Sequence, residues 1–312
     1  MSLTKEVIAH RKSCGFLRNR GTDSFSGRVV SAGGVYTAED LIHIAECAKK
    51  YGNGKVCFTS RQSAEIVGIP IEATVEAADF LAAHGLYFGG TGARVRPITA
   101  CKGTVCVFGN ADTQALAKDL HERFYIGMAA VALPHKFKIG VGGCPNSCMK
   151  PSLNDVGIEA RACFDIDPTK CRGCGSCAPR ASCRSGAISF TDGHVKLDTS
   201  LCRKCGLCLG KCPFGAFPKQ GEPRFLLTVG GTWGKKRRDG TPLSTLICAS
   251  QIGDAVETVI LWYRKNGYRG ERLGETVDRL GIASLEAALL EDTLRHLRDE
   301  ILAVPMAERP AL

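Results

Sequence analysis

Residues 171–183 read Cys-Arg-Gly-Cys-Gly-Ser-Cys-Ala-Pro-Arg-Ala-Ser-Cys, and residues 202–213 read Cys-Arg-Lys-Cys-Gly-Leu-Cys-Leu-Gly-Lys-Cys-Pro. The second run repeats the first, and each leads into a Gly-Ala-Ile or Gly-Ala-Phe turn. Cysteines three apart let one tight loop present three sulfurs and several amide N–H groups to a [4Fe–4S] cluster. In the two-cluster ferredoxin arrangement, the fourth sulfur of each cluster comes from the other run. The spacing therefore predicts one cluster on Cys171, Cys174, Cys177 and Cys212, and a second on Cys202, Cys205, Cys208 and Cys183. The gap from Cys177 to Cys183 is two residues longer than the common form, an excess that a surface loop absorbs cheaply. Zinc is the rival ligand, but zinc sites normally take cysteines in pairs rather than interlocked triplets.

Working outward, a further set of four is split: Cys101-x4-Cys106, then Cys144-x3-Cys148 inside Gly142-Gly-Cys-Pro-Asn-Ser-Cys148. That accounts for twelve of the seventeen cysteines; Cys14, Cys47, Cys57, Cys163 and Cys248 read as core or surface thiols. Cysteines clustered in this way point to metal in a reducing compartment rather than to disulfides. The N-terminus has no apolar signal segment and no apolar run approaches a membrane span, so a cytoplasmic protein is expected. The formal charge is +10. A nucleic-acid surface is the generic reading of such an excess, but aromatic content of 7% gives little support for base stacking. Thiolate-bound clusters are anionic and would neutralise part of that charge internally.

The rest of the chain alternates strand and helix patterns. Val29–Ser31 and Lys55–Thr59 read as strands, and Ala38–Tyr51, capped by Thr37, and Val75–His84 as helices. Val95–Ala100 and Lys136–Gly142 read as strands that deliver the two split cysteine pairs, with a helix over Thr113–Phe124. Asp155–Arg161 and Arg224–Val229 read as further strands, and Asp254–Lys265 and Leu285–Leu302 as amphipathic helices. The expected fold is α+β, with a small N-terminal domain over 1–92, a second domain over 93–166 and 221–312, and the cysteine-rich module 167–220 inserted into it.

Gly142–Cys148, with a cysteine pair some forty residues earlier, resembles the sirohaem-dependent sulfite and nitrite reductase family. Thr59-Ser-Arg-Gln62, Pro134-His-Lys-Phe-Lys138, Gly270-Glu-Arg-Leu-Gly274 and Val277-Asp-Arg-Leu-Gly281 are similar to other segments of that family, so the likeness spans most of the chain. The nearest form is the small anaerobic, dissimilatory-type sulfite reductase subunit with an inserted ferredoxin module. The resemblance implies an N-terminal ferredoxin-like half-domain and an α/β sirohaem and iron–sulfur domain. It implies that Cys101, Cys106, Cys144 and Cys148 hold a third [4Fe–4S] cluster, and that Cys148 also ligates the sirohaem iron. The first pair departs from the family's common Cys-x5-Cys; the shorter loop would shift the cluster or mark a divergent subgroup.

A reductase of sulfite to sulfide, or of nitrite to ammonia, needs fixed cations for a small oxyanion. By position in the matching segments these are Arg61, Arg96, Lys136 and Lys138. The two lysines are two apart on the expected strand and so share one face. Arg28, Lys235, Lys236 and Arg237 are candidates for the sirohaem carboxylates, within a Lys-Lys-Arg-Arg run that otherwise reads as a nucleic-acid patch. His135 reads as a hydrogen-bonded neighbour of the lysine strand. The chain holds one haem-bearing repeat where large relatives hold two, so pairing with itself or a homologous subunit is expected, together with an electron-donor protein or subunit. The alternative is a non-catalytic electron-transfer subunit.

Overall fold

The computed structural model describes residues 3–309. The chain divides into two compact units. The first takes the chain up to Thr99, Ala117–Ile139 and everything from Glu257 on; the second takes Ala100–Leu116 and Gly140–Val256.

In the first unit, strands Phe16–Arg18, Ser24–Val29, Ala64–Pro70 and Val56–Phe58 form, in that order, an antiparallel sheet. Helices Ala38–Tyr51 and Thr74–Ala82 contribute Ile44, Cys47, Ala48, Ala77 and Leu81 to a core that also takes Phe25, Ile66 and Ile69 from the sheet. Thr37 begins the first helix through a reciprocal cap: Asp40 N–H donates to Thr37 Oγ1 at 3.0 Å, and Thr37 N–H donates to Asp40 Oδ2 at 2.7 Å. The strand expected over Val29–Ser31 lies earlier, at Ser24–Val29, because the chain turns away at Gly33 and Gly34, both at positive φ. The expected helix 113–124 is α-helical over Thr113–Leu120 and widens into a π-helix over His121–Ile126. The expected helix 285–302 is three helices, Ile282–Glu291, Thr293–His296 and Arg298–Ala303. The break falls at Asp292, which sits left-handed at φ 53° with its carboxylate held by Arg295.

The second unit is built on a sheet ordered Thr241–Pro242, Glu222–Val229, Val156–Cys163, Ile139–Gly142, Thr99–Ala100. Its centre is an eight-pair antiparallel ladder from Glu222↔Cys163 to Val229↔Val156. The strands expected at 95–100 and 136–142 shrink to Thr99–Ala100 and Ile139–Gly142. Before them only an isolated bridge joins Val95 to Phe137, and Pro97, with no N–H to give a ladder, lies in the gap. Lys136 and Lys138 thus flank a bridge residue instead of standing on a strand. Phe137 between them is fully buried and both lysines are half-buried. Between Cys163 and Glu222 the chain forms a hairpin, Ile188–Thr191 with His194–Leu197, over a small core of Ile188, Val195, Cys208, Ala216 and Phe217.

Candidate iron–sulfur and anion sites

The split cysteine set lies within the second unit. Cys101 follows strand Thr99–Ala100 and its N–H donates to Val141 O at 3.0 Å, tying it to the strand that carries the chain into Cys144. Gly143 N–H donates to Cys101 Sγ at 3.1 Å, and Asn110 N–H donates to Gly143 O at 2.8 Å. Thr113 Oγ1 and Gln114 Nε2 both donate to Cys101 O, at 2.7 and 3.0 Å. The Cys144–Cys148 turn is tight, with Ser147 at φ 53° and Lys150 at φ 50°. Burial pushes the Cys144 thiol above its ordinary value, and the neighbouring Cys101, Cys148 and Cys106 push it further. Four thiols near enough to oppose one another's ionisation, with an amide aimed at one sulfur, fit a cationic iron–sulfur core. Cys148 is the exposed member of the four.

The eight cysteines between 171 and 212 fall into two neighbourhoods. Cys208 is buried, and its thiol is pushed up to about 12 by that burial and then by Cys202, Cys205 and Cys183. Cys171, Cys174, Cys177 and Cys212 line one cavity of about 350 Å³ with Pro213 and Phe217. Cys183 and Cys212 are each surrounded by N–H donors. Burial raises Cys183, but the Ser185 hydroxyl and the amides of Ala187, Ser185 and Ile188 outweigh it and hold the thiol low. At Cys212 burial is likewise outweighed, here by the amides of Phe214, Ala216, Phe217 and Gly215. Among the described residues, no three His, Cys, Asp or Glu side chains close on a point as they would around a single ion. A cubane is wider than an ion and spreads its thiolates accordingly.

The cations of the first unit gather around the carbonyl of Gly90. Arg28 donates to it from Nη1 at 3.1 Å and holds Glu65 Oε1 from Nε and Nη2 at 2.8 and 2.6 Å. Arg96 donates to the same carbonyl from Nη1. Burial, then Arg28, with Arg272 and Arg94 adding to it, lowers Arg96 to about 10. Its Nε is buried with no hydrogen-bond partner among the described residues. His135 is held at about 4, first by burial and then by Arg272, Lys136 and Arg96, so it is neutral at ordinary pH. Of the four predicted substrate cations, the structure brings Arg96 to this carbonyl, with Arg28 beside it, and Lys136 lies against His135. Arg61 donates from Nη2 to Pro97 O at 2.8 Å, next along the chain from Arg96. Lys138 lies across Phe137 from Lys136. In the second unit Lys235, Lys236 and Arg237 are exposed. Arg237 pairs with Asp239 at 3.3 Å and lies over the exposed Trp233 ring, as does Lys150.

Against known proteins, the description "Nitrite and sulphite reductase 4Fe-4S domain" matches residues 91–297, and "Nitrite/Sulfite reductase ferredoxin-like half domain" matches residues 18–84. The chain belongs to the nitrite and sulfite reductase family. It is 31% identical over 272 residues to a coenzyme F420-dependent sulfite reductase of Methanocaldococcus jannaschii, covering 86% of this chain but 42% of that protein. It is 29% identical over 239 residues to an anaerobic sulfite reductase subunit of Salmonella typhimurium, covering 70% of this chain and 67% of that subunit. The crystal structure of dissimilatory sulfite reductase I superposes with a TM-score of 0.69 at 21% identity, over 92% of this chain and 72% of that one. The fold is therefore the mixed α/β fold of these reductases, with the ferredoxin-like half domain over the first sheet. Within this family framework the sequence reading missed Arg94, Arg272 and Tyr125. Arg94 lies two residues from Arg96 on an extended chain, a same-side signal that was legible. Arg272 stands in the family-like Gly-Glu-Arg-Leu-Gly segment, and Tyr125 reads as ordinary apolar helix.

Proposed function

We propose that this chain is a sirohaem and iron–sulfur oxidoreductase that reduces sulfite to sulfide by six electrons, with nitrite to ammonia as the second reading. The observation that carries it is the tie between the two split cysteine pairs within the matched 4Fe-4S domain, where Gly143 N–H, next to Cys144, donates to Cys101 Sγ at 3.1 Å. Cys148, the exposed thiol, is the proposed ligand shared with the haem. The eight cysteines of 167–220 are proposed to hold two further [4Fe–4S] clusters in an inserted ferredoxin module, between the segments 93–166 and 221–312 of the larger domain, with 1–92 as the half-domain. When bound, the sirohaem supplies an iron with an open face for the substrate sulfur or nitrogen, and the clusters supply its electrons.

The residues of the chain do the rest. Arg61 and Arg96 are assigned to the oxyanion's oxygens: a buried guanidinium among like charges gains more from an anion than an exposed one does. Lys136 and Lys138 are assigned to supply protons for the oxygens that leave as water. Arg28, Lys235, Lys236 and Arg237 are assigned to ring carboxylates. Arg28 serves there only in part, since Glu65 already holds two of its nitrogens. An electron-donor protein or subunit, a cytoplasmic location and assembly with a second copy or a homologous chain complete the reading. No described helix is long and apolar enough to cross a membrane. The test is steady-state turnover of anaerobically purified protein with a reduced viologen dye and each anion in turn. Sulfite-dependent dye oxidation with sulfide formed is expected. Turnover with nitrite alone moves the substrate to the second reading, and turnover with neither overturns the enzymatic one.

A further inference from the structure

Tyr125 stands in the middle of the first unit's cation cluster, and neither cluster binding nor proton supply uses it. Its ring reaches there because the helix that begins at Thr113 widens to π geometry over His121–Ile126, and such widenings mark functional positions more often than chance. Its oxygen accepts the Gly90 N–H at 3.0 Å. The same residue's carbonyl receives both Arg28 and Arg96. Gly90 is therefore a node that fixes one hydroxyl and two guanidinium groups against each other, and its φ of 69° keeps both peptide groups turned that way. Gly89 beside it is required: a β-carbon there would run into Tyr125 Oη and would meet Val30 Cγ2 at 3.0 Å. The ring packs against the buried His121 with centroids 4.6 Å apart.

A phenol has one proton to give and can accept at its oxygen. Here the oxygen is engaged by Gly90, and the proton has no acceptor among the described residues. Around it Arg28, Arg94 and Arg96 lie within electrostatic reach, and Arg272 lies within reach of Arg96. Glu65 answers Arg28, and Glu275 accepts the Arg272 backbone N–H at 3.0 Å. A half-buried cluster of like charges, with an unpartnered guanidinium nitrogen, calls for an anion.

We propose that Tyr125 is a ligand-binding residue: its hydroxyl donates to an oxygen of the anion held by Arg94, Arg96 and Arg272, set in place by the π turn and the Gly89-Gly90 node. This rests on the sulfite reductase reading for the identity of the anion, which is either the oxyanion substrate or a carboxylate of the tetrapyrrole. Arginine supplies charge in such a cradle, and the neutral hydroxyl supplies direction at a point where a fifth cation would add to the repulsion.

The test compares wild type, Tyr125→Phe and Gly89→Ala, each purified anaerobically as holoprotein, by three readouts: tetrapyrrole retained per chain, calorimetric affinity for sulfite, and melting temperature. A hydrogen bond to a charged group predicts about a tenfold loss for Tyr125→Phe in one anion readout, with melting almost unchanged because the ring and its packing on His121 remain. Loss of tetrapyrrole identifies the ring carboxylate; weaker sulfite binding at full tetrapyrrole content identifies the substrate. Gly89→Ala displaces the hydroxyl without deleting it and should show the same loss; it decides the matter if Tyr125→Phe does not fold. Both readouts within twofold of wild type in a folded variant overturn the proposal. Wild-type protein without tetrapyrrole and without turnover overturns the functional reading instead. In that case the sulfite calorimetry still judges Tyr125, and equal heats for wild type and variant count against it.

Discussion

Gly109→Ala tests the loop that carries the unusual Cys-x4-Cys spacing. Gly109 N–H donates to Cys106 O at 2.8 Å, and Cys106 N–H donates to Gly103 O at 3.3 Å, so the loop folds back on itself. A β-carbon on Gly109 would press on the Gly103 carbonyl oxygen, lying 2.9 Å from its carbon and 3.1 Å from Cys106 O. These are backbone atoms of a loop pinned at Cys101, so no side-chain rotation relieves the contact. Overpacking costs about 1–3 kcal/mol, and the two hydrogen bonds that must stretch are worth about 1 kcal/mol each. A local penalty of about 3 kcal/mol results, which raises the open fraction of the loop about a hundredfold. The loss should stay local, because the large hydrophobic cores lie elsewhere. The assay is iron content with melting temperature, against wild type. Gly109→Ala should lose the iron of the split-set cluster, about one third of the total for a chain with the three proposed clusters, while wild type keeps it all. Full iron and unchanged melting in Gly109→Ala would refute the idea that this fold-back holds Cys106 in place.

Cys183→Ser and Cys208→Ser should abolish the same paramagnetic signal, and Cys212→Ser a different one; identical spectra for Cys208→Ser and Cys212→Ser would contradict the crossed pairing. Arg96→Gln should weaken sulfite binding by about ten- to a hundredfold with little change in melting, read by calorimetry. His121 is buried, which lowers its folded value to about 4 from an ordinary 6.5. The unfolded chain therefore binds more protons between about pH 6.5 and 4, and stability falls as pH drops through that window. His121→Phe should flatten the fall by on the order of 3 kcal/mol, checked by denaturant melts at pH 7 and pH 4.5. Glu257 is 7% exposed and pairs with Arg123 at 2.5 Å and Arg298 at 3.1 Å. Glu257→Gln should cost about 1 kcal/mol, since both guanidinium groups reach solvent when the carboxylate charge is removed, seen as a lower denaturation midpoint.

The cysteine chemistry was legible because a cluster dictates spacing. Three sulfurs offered by one tight loop show as Cys-x2-Cys-x2-Cys, a pattern that survives without any knowledge of the fold. The strands that deliver the split pairs were legible in place but not in extent, since Pro97 interrupts the ladder between Val95 and Thr99. The break at Asp292 was hidden because a left-handed aspartate leaves the apolar period of the helix almost intact on both sides. Arg28 and Arg96 come from separate segments, and their meeting at the carbonyl of Gly90 is a long-range fact which no local pattern encodes. Tyr125 was invisible for the same reason, because a π turn leaves no periodicity of its own.

The central claim is that Cys148 and its three companions serve a sirohaem in a chain carrying three clusters. The most direct measurement is quantification of extracted tetrapyrrole and of iron on one anaerobically purified sample. One sirohaem per chain with about twelve cluster irons is the predicted result. A full complement of cluster iron with no sirohaem would contradict it.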